Sequence, residues 1–372
     1  DPFVNPAGPE VPLGPQDARV NFPLPYDKGV WRLGNIVDYG FTAVFAALGQ
    51  VAKNHTSWMA NYYRVHRDWV DRDEAPHAFI VSAEQRDPFA TYELLELLHT
   101  GEVEIHRARR SFTAGGRRYP TGSWVIDLAQ PAGAFAKTML EKQVYPDLRY
   151  YPGGPPIPPY DVTAQTLGLL MGVDVTQIDD PVIADLEPLE QINPTVPPMP
   201  PVPAWSYLIG PGSNAGFLAA TRLQQAGVTL YRAGERFVSG GREYAPGTWL
   251  VPPSANTADI LARVSRETGL VVDGADQAAP ISGFRLQTPT RVGLWRAANN
   301  MPAGWMRWLF EQYELGHREI SSLDFEGDLA EKYDVIVLPA GTTRSRIVFG
   351  LNPRRHDETW RWAYGVGDVG WE

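Results

Sequence analysis

The spacing of apolar positions changes twice along the chain, and each change marks a different kind of element. Val37, Phe41, Val44, Leu48 and Val51 fall at steps of four and three, as do Trp58, Tyr62, Val65 and Trp69. That spacing puts each set on one helical face and predicts two helices. Asn54-His55-Thr56-Ser57 predicts the break between them, with Ser or Thr capping the second. Beyond residue 73 the pattern shortens. Phe79-Ile80-Val81 reads as a buried strand, Tyr92, Leu95 and Leu98 as a helical stripe, and Val103-Glu104-Ile105 as a second strand. Gly115-Gly116 lies between strand-like flanks, where adjacent glycines permit the positive φ angles of a tight hairpin. Trp124 on the return strand is the natural core anchor.

This unit occurs twice. Residues 106–130 return without a gap at 231–255, with Arg107, Phe112, Gly115, Gly116, Tyr119, Gly122 and Trp124 recurring as Arg232, Phe237, Gly240, Gly241, Tyr244, Gly247 and Trp249. Phe217, Ala220 and Leu223 repeat the helical stripe, and Val228-Thr229-Leu230 the strand after it. Each copy reads as strand, helix, strand, hairpin, strand, helix. Duplication explains such identities before any shared chemistry does.

The last stretch differs. Arg291–Trp295 predicts a strand, Trp305, Leu309 and Tyr313 a helix face, and Glu319-Ile320 a second strand. Asp334–Pro339 predicts a third, buried on both faces. Strands alternating with helices indicate a doubly wound parallel sheet. About three strands are evident where such a domain usually has about five or six, so the sequence predicts a partial domain. The expected fold is therefore α/β: a helical N-terminal segment, two tandem α/β repeats, then part of a parallel sheet. The boundaries read as 1–72, 73–150, a proline-rich spacer with a short helix at 151–204, 205–290 and 291–372.

Composition narrows the partners. Hydrophobic residues are 44% and charged residues 20% of the 372, which is globular usage. A formal charge of −10 argues against nucleic acid or anionic membrane. No apolar run approaches the ~18 residues of a membrane span. The chain starts at Asp1 rather than Met, which predicts a processed product or a piece of something longer. Cysteine is absent, excluding a thiol nucleophile and cysteine-ligated zinc. Many of the 34 prolines lie in an N-terminal arm over 1–30 and in tracts at 152–159 and 194–203, the latter two reading as linkers.

Local chemistry is sparse. His99-Thr100-Gly101-Glu102 matches the HxxE zinc pair literally. In the second copy these positions hold Gln224 and Gly227, so the tetrad reads as a helix-to-strand turn. His106 aligns with Tyr231 and reads as a strand-face residue. Gly210-Pro211-Gly212-Ser213-Asn214 joins a strand to a helix, where free amides hold an anion or Ser213 or Asn214 caps the helix. The first copy has the longer Ser82–Asp87 turn there. Arg86 and Asp87 in that turn, with Ser213 and Asn214, are the candidate ligand- or partner-binding residues. The Asn54-His55-Thr56 glycosylation match reads as chance, and the basic Asn352–His356 cluster as a solvated loop. No GxSxG, Walker loop or GxGxxG occurs, so no catalytic or metal residue is assigned.

Five segments in order carry a resemblance: Trp31–Tyr39, Gln85–Pro88, Ala129–Lys137, Pro159–Ala164 and Leu169–Val173. Together they resemble the region downstream of the catalytic domain in large exported bacterial zinc carboxypeptidases of the carboxypeptidase A type. The end resembles the start of a class I glutamine-amidotransferase-like domain, without its cysteine nucleophile. The resemblance implies a non-catalytic accessory region, extracellular or periplasmic. Zinc would sit in a peptidase domain preceding this chain, and that domain or another chain would be the partner. Peptide or cell-wall material is the implied substrate. The alternative is a structural or carbohydrate-binding extracellular protein on the same scaffold.

Overall fold

The computed structural model describes residues 32–157, 166–278, 282–286, 289–296, 301–325 and 327–342. The proline-rich arm, Trp31, the 159–164 segment and the 352–356 cluster lie outside the described residues. The chain divides into two compact units, Asn61–Pro289 and the remainder on either side of it.

The two predicted helices are α1 (Leu33–Lys53) and α2 (His55–Val70). The break between them is Asn54 alone, and neither Ser nor Thr caps α2. Helical bonding runs almost straight through, because Asn54 N–H reaches the Gln50 carbonyl and Trp58 N–H reaches that of Asn54, both at 3.0 Å. Neither helix has a buried residue, and the Val37–Val51 stripe is exposed along its length. The end of α2 is held nonetheless. Trp69 packs against the first repeat's core, and His66 Nδ1 lies 2.7 Å from the Pro131 carbonyl oxygen.

The first repeat comprises β1 (Ala78–Val81), α3 (Pro88–Thr100), β2 (His106–Ala108), the hairpin β3 (Phe112–Ala114) and β4 (Arg117–Tyr119), β5 (Trp124–Asp127) and α4 (Gly133–Leu140). A short α5 (Leu167–Met171) and strands β6 (Val175–Ile178) and β7 (Leu186–Pro188) follow. These two strands correct the reading of 151–204 as a spacer. They form both edges of the first sheet, whose order is β6-β1-β5-β2-β7, antiparallel throughout. The second repeat is β8 (Ser206–Ile209), α6 (Ala215–Gln225), β9 (Leu230–Ala233), β10 (Phe237–Ser239), β11 (Arg242–Tyr244), β12 (Trp249–Val251), α7 (Thr257–Thr268), β13 (Asp273–Ala275) and β14 (Gly283–Leu286). Its sheet runs β13-β8-β12-β9-β14, strand for strand the same.

Side-chain alternation explains the layers. In β1, Phe79 and Val81 join the helix-side core with Leu94, Leu95 and Leu98, while Ala78 and Ile80 face the hairpin residues Phe112 and Tyr119. The second copy does likewise, with Tyr207 and Ile209 on the helix side and Leu208 toward Phe237 and Tyr244. Both hairpins turn on the predicted glycine pairs, all four with φ between 53° and 79°, as a type I′ turn requires. Val103-Glu104-Ile105 is not a strand; β2 starts at His106. The Gln130 side chain takes the ladder's place there, accepting from Glu104 N–H at 2.6 Å and donating to its carbonyl at 3.0 Å.

In the second unit, β15 (Val292–Trp295), β16 (His317–Ile320) and β17 (Val335–Val337) form a parallel sheet in the order β16-β15-β17. Helix α8 (Met301–Gln312) buries Phe310 and half-buries Met306 on this sheet, not the predicted Trp305–Leu309 face, which is exposed. A short α9 (Leu329–Lys332) precedes β17, and β17 is an edge strand with Val335 exposed rather than buried on both faces. Arg291 fixes its start: Nη2 reaches Asp334 Oδ1 at 2.7 Å, and Arg291 N–H reaches Oδ2 at 2.8 Å.

Two measurements check this account. Trp124 and Trp249 are both buried, each in a T-shaped contact at 87° with Tyr92 or Phe217. Trp249→Ala is therefore expected to cost about 3–5 kcal/mol in urea unfolding; a loss within experimental error would remove Trp249 from the core. In the second unit, the Arg291 hydrogen bonds hold the Asp334 carboxyl down at about 2. Because this lies below the unfolded value, the bond's contribution is complete above about pH 4 and is lost as pH falls toward about 2. Side-chain NMR titration should show the low value and its return to about 3.9 in Arg291→Ala; an ordinary value in the unaltered protein would contradict the contact.

Candidate functional site

Each repeat has to turn from its first strand into a helix, and the two turns meet. Asp87 is the N-cap of α3, its Oδ1 accepting from Phe89 N–H at 3.1 Å, with Pro88 at the first helical position. That position needs no N–H, so proline is free there. In the second repeat, Asn214 is the N-cap of α6 but its side chain caps nothing. Ser213 Oγ accepts only a long bond, 3.3 Å, from Ala215 N–H. The missing acceptor comes from the first repeat. Asp87 Oδ2 accepts from Asn214 N–H at 2.9 Å, and Asp87 Oδ1 accepts from the Ser213 hydroxyl at 2.7 Å.

Of the two readings of this turn, a capping Ser213 or Asn214 gives way to an anion, and the anion is the chain's own carboxylate. Asp87 is 7% exposed, and burying a charge is costly unless it is hydrogen-bonded. Three donors and the positive ends of two helices provide that compensation. Arg86 lies against the same turn, and a side chain on Gly212 would meet the Arg86 carbonyl at 3.4 Å. All four sequence candidates therefore come together, as one contact between the repeats.

Beside this contact lies a cleft of about 360 Å³ lined by both repeats. Gln85, Arg86 and Pro88 form one wall, and Gly210–Ser213, β11, Leu270, Val271 and Asp273 the other. Arg242 Nη1 and the Tyr244 hydroxyl both reach Asp273 Oδ2, at 2.7 and 3.1 Å. Burial first, and the Asp273 charge second, push the Tyr244 hydroxyl above its usual range. None of these three residues was a site candidate in the sequence, where Tyr244 counted only as a repeat identity. The first repeat explains their arrangement, since Arg117 pairs with Asp174 at 2.8 Å and stacks over Tyr119 as Arg242 does over Tyr244. A pair present in both copies is a latch between hairpin and edge strand.

His99 lies in the last turn of α3, and Glu102 adopts φ 61° where the second copy has Gly227 at φ 76°. The tetrad is a left-handed turn, and His106 opens β2. Among the described residues no group of three or more His, Asp or Glu side chains is placed to hold a metal ion.

Removing the shared acceptor should loosen both helix starts. Asp87→Ala is expected to destabilise the Asn61–Pro289 unit by about 2–4 kcal/mol, the combined range for a lost cap and charged hydrogen bonds. A double-mutant cycle with Ser213→Ala should show coupling across the repeats. Strict additivity in that cycle would mean the bond carries no energy. No protein-family model, curated protein or solved structure matches the chain.

Proposed function

We propose that this chain is the accessory region of an exported zinc carboxypeptidase of the carboxypeptidase A type, acting by support and binding rather than by chemistry of its own. The observation that carries the reading is the state of the four candidate residues. Asp87, Ser213 and Asn214 are engaged with one another, and Arg86 is laid along the same turn. Their effect is to join two repeats into one body with a shared cleft, which suits presentation of a peptide or cell-wall strand to a neighbouring catalytic domain.

Two of the segments behind the resemblance support it further, because they sit where the fold is tightly constrained. Gln85–Pro88 forms the inter-repeat contact. Ala129–Lys137 contains Gln130, which holds the Glu104 backbone, and Gly133, where any side chain would stand 2.1 Å from the Leu128 carbonyl oxygen. In the whole protein, zinc would polarise the scissile carbonyl and a glutamate would activate water, both on residues preceding this chain. The expected setting is extracellular or periplasmic, with the peptidase domain as partner.

Metal analysis after dialysis, alongside a carboxypeptidase assay, tests the division of labour. The chain alone is expected to hold no stoichiometric zinc and to release no C-terminal residue from peptides. One tightly held zinc per chain, lost in His99→Ala, would overturn the reading. So would a gene without a zinc-ligand set upstream of Asp1.

A further inference from the structure

The two repeats carry the same aromatic platform, but its helix ring is buried in one copy and exposed in the other. In the first, Tyr92 meets Trp124 edge to face with ring centroids 5.8 Å apart, and the Arg107 guanidinium lies over Gly122. Thr195, which follows Pro194 in the chain, sits on top. Thr195 N–H donates to the Tyr92 hydroxyl at 2.7 Å, and Arg107 Nη2 donates to Thr195 Oγ1 at 3.2 Å. Tyr92 is 9% exposed beneath it.

In the second, Phe217 meets Trp249 at 5.7 Å in the same geometry, and the Arg232 guanidinium lies over Gly247. Among the described residues, no hydrogen bond like that of Thr195 reaches this platform. Thr195 comes seven residues after the edge strand β7, whereas only residues 287–291 separate β14 from β15. Phe217 is 43% exposed. Arg232 stacks over both rings, 5.3 Å from Phe217 and 4.7 Å from Trp249.

We propose that the Phe217–Arg232–Trp249 platform binds an extended, proline-containing polypeptide segment, in the way its duplicate holds Thr195, the residue after Pro194. Phenylalanine offers no hydroxyl, so the ligand's backbone gains no partner at that point. Recognition rests on proline rings against Phe217 and on an acceptor, a hydroxyl or carbonyl oxygen, for Arg232. None of the three platform residues lines the junction cleft, and the proposal does not depend on the peptidase reading.

The chain supplies its own probe. A synthetic peptide of residues 189–203 is titrated into the full chain, with binding followed by calorimetry and by NMR shifts. Saturable one-to-one binding is expected, weakened about tenfold by Phe217→Ala or Arg232→Ala. Phe217→Tyr restores the missing hydroxyl and should tighten binding about fivefold, a gain that misfolding cannot produce. Three results would overturn the proposal: no saturation, equal binding of a scrambled peptide, or indifference to all three substitutions. Binding abolished by Arg107→Ala but not by Arg232→Ala would also do so, since it would place the peptide on the first platform.

Discussion

The arrangement of the repeats depends on a single buried carboxylate. Two helices begin within reach of Asp87, and each brings unpaired amides and a partial positive charge to the same point. Without an anion there, the junction would bury donors with no acceptor. With it, the junction becomes a hydrogen-bonded seam that aligns the two sheets. Phe89, next to Pro88 at the start of α3, then packs against the second repeat's core. Gly269, which ends α7 in a left-handed conformation, comes close to Tyr92. Polar bonds set the register of the seam, and apolar burial supplies its area.

Within each repeat the division of labour is similar. The helices cover one face of a short antiparallel sheet and the glycine-turned hairpin covers the other, so central strands of only three or four residues are buried on both sides. Such strands cannot hold together by ladder bonds alone. The tryptophan on the return strand reaches into the helix layer, while the Arg–Asp latch ties the hairpin to the edge strand. The two devices act on opposite faces, which explains why both persist in both copies.

Much of this was legible in the sequence. Identities between the copies announced the duplication, glycine pairs marked the hairpins, and Trp124 and Trp249 marked the core. What escaped had physical reasons. The edge strands β6 and β7 are short, and β7 contains Pro188, so their pairing is set by the neighbouring strand rather than by their own composition. Glu104 lost its expected ladder to a side chain 26 residues away. On α8 two apolar faces compete, and tertiary packing chose Met306 and Phe310 over Trp305 and Leu309. The residues of the junction were visible as candidates, but Asp87 and Ser213 are 126 positions apart. No local pattern could show that the anion for the second turn was the acid of the first.

The longer first turn has a final implication, concerning history rather than stability. A duplicated unit is at first redundant, and either copy could be deleted or reordered. Once one acid serves both helix starts, that freedom ends. The second repeat alone would begin with an unsatisfied helix, and the first alone would hold a buried charge with only part of its compensation. The Ser82–Asp87 turn thus works as a ratchet: it makes two interchangeable modules into complementary halves, so that losing either one damages the other.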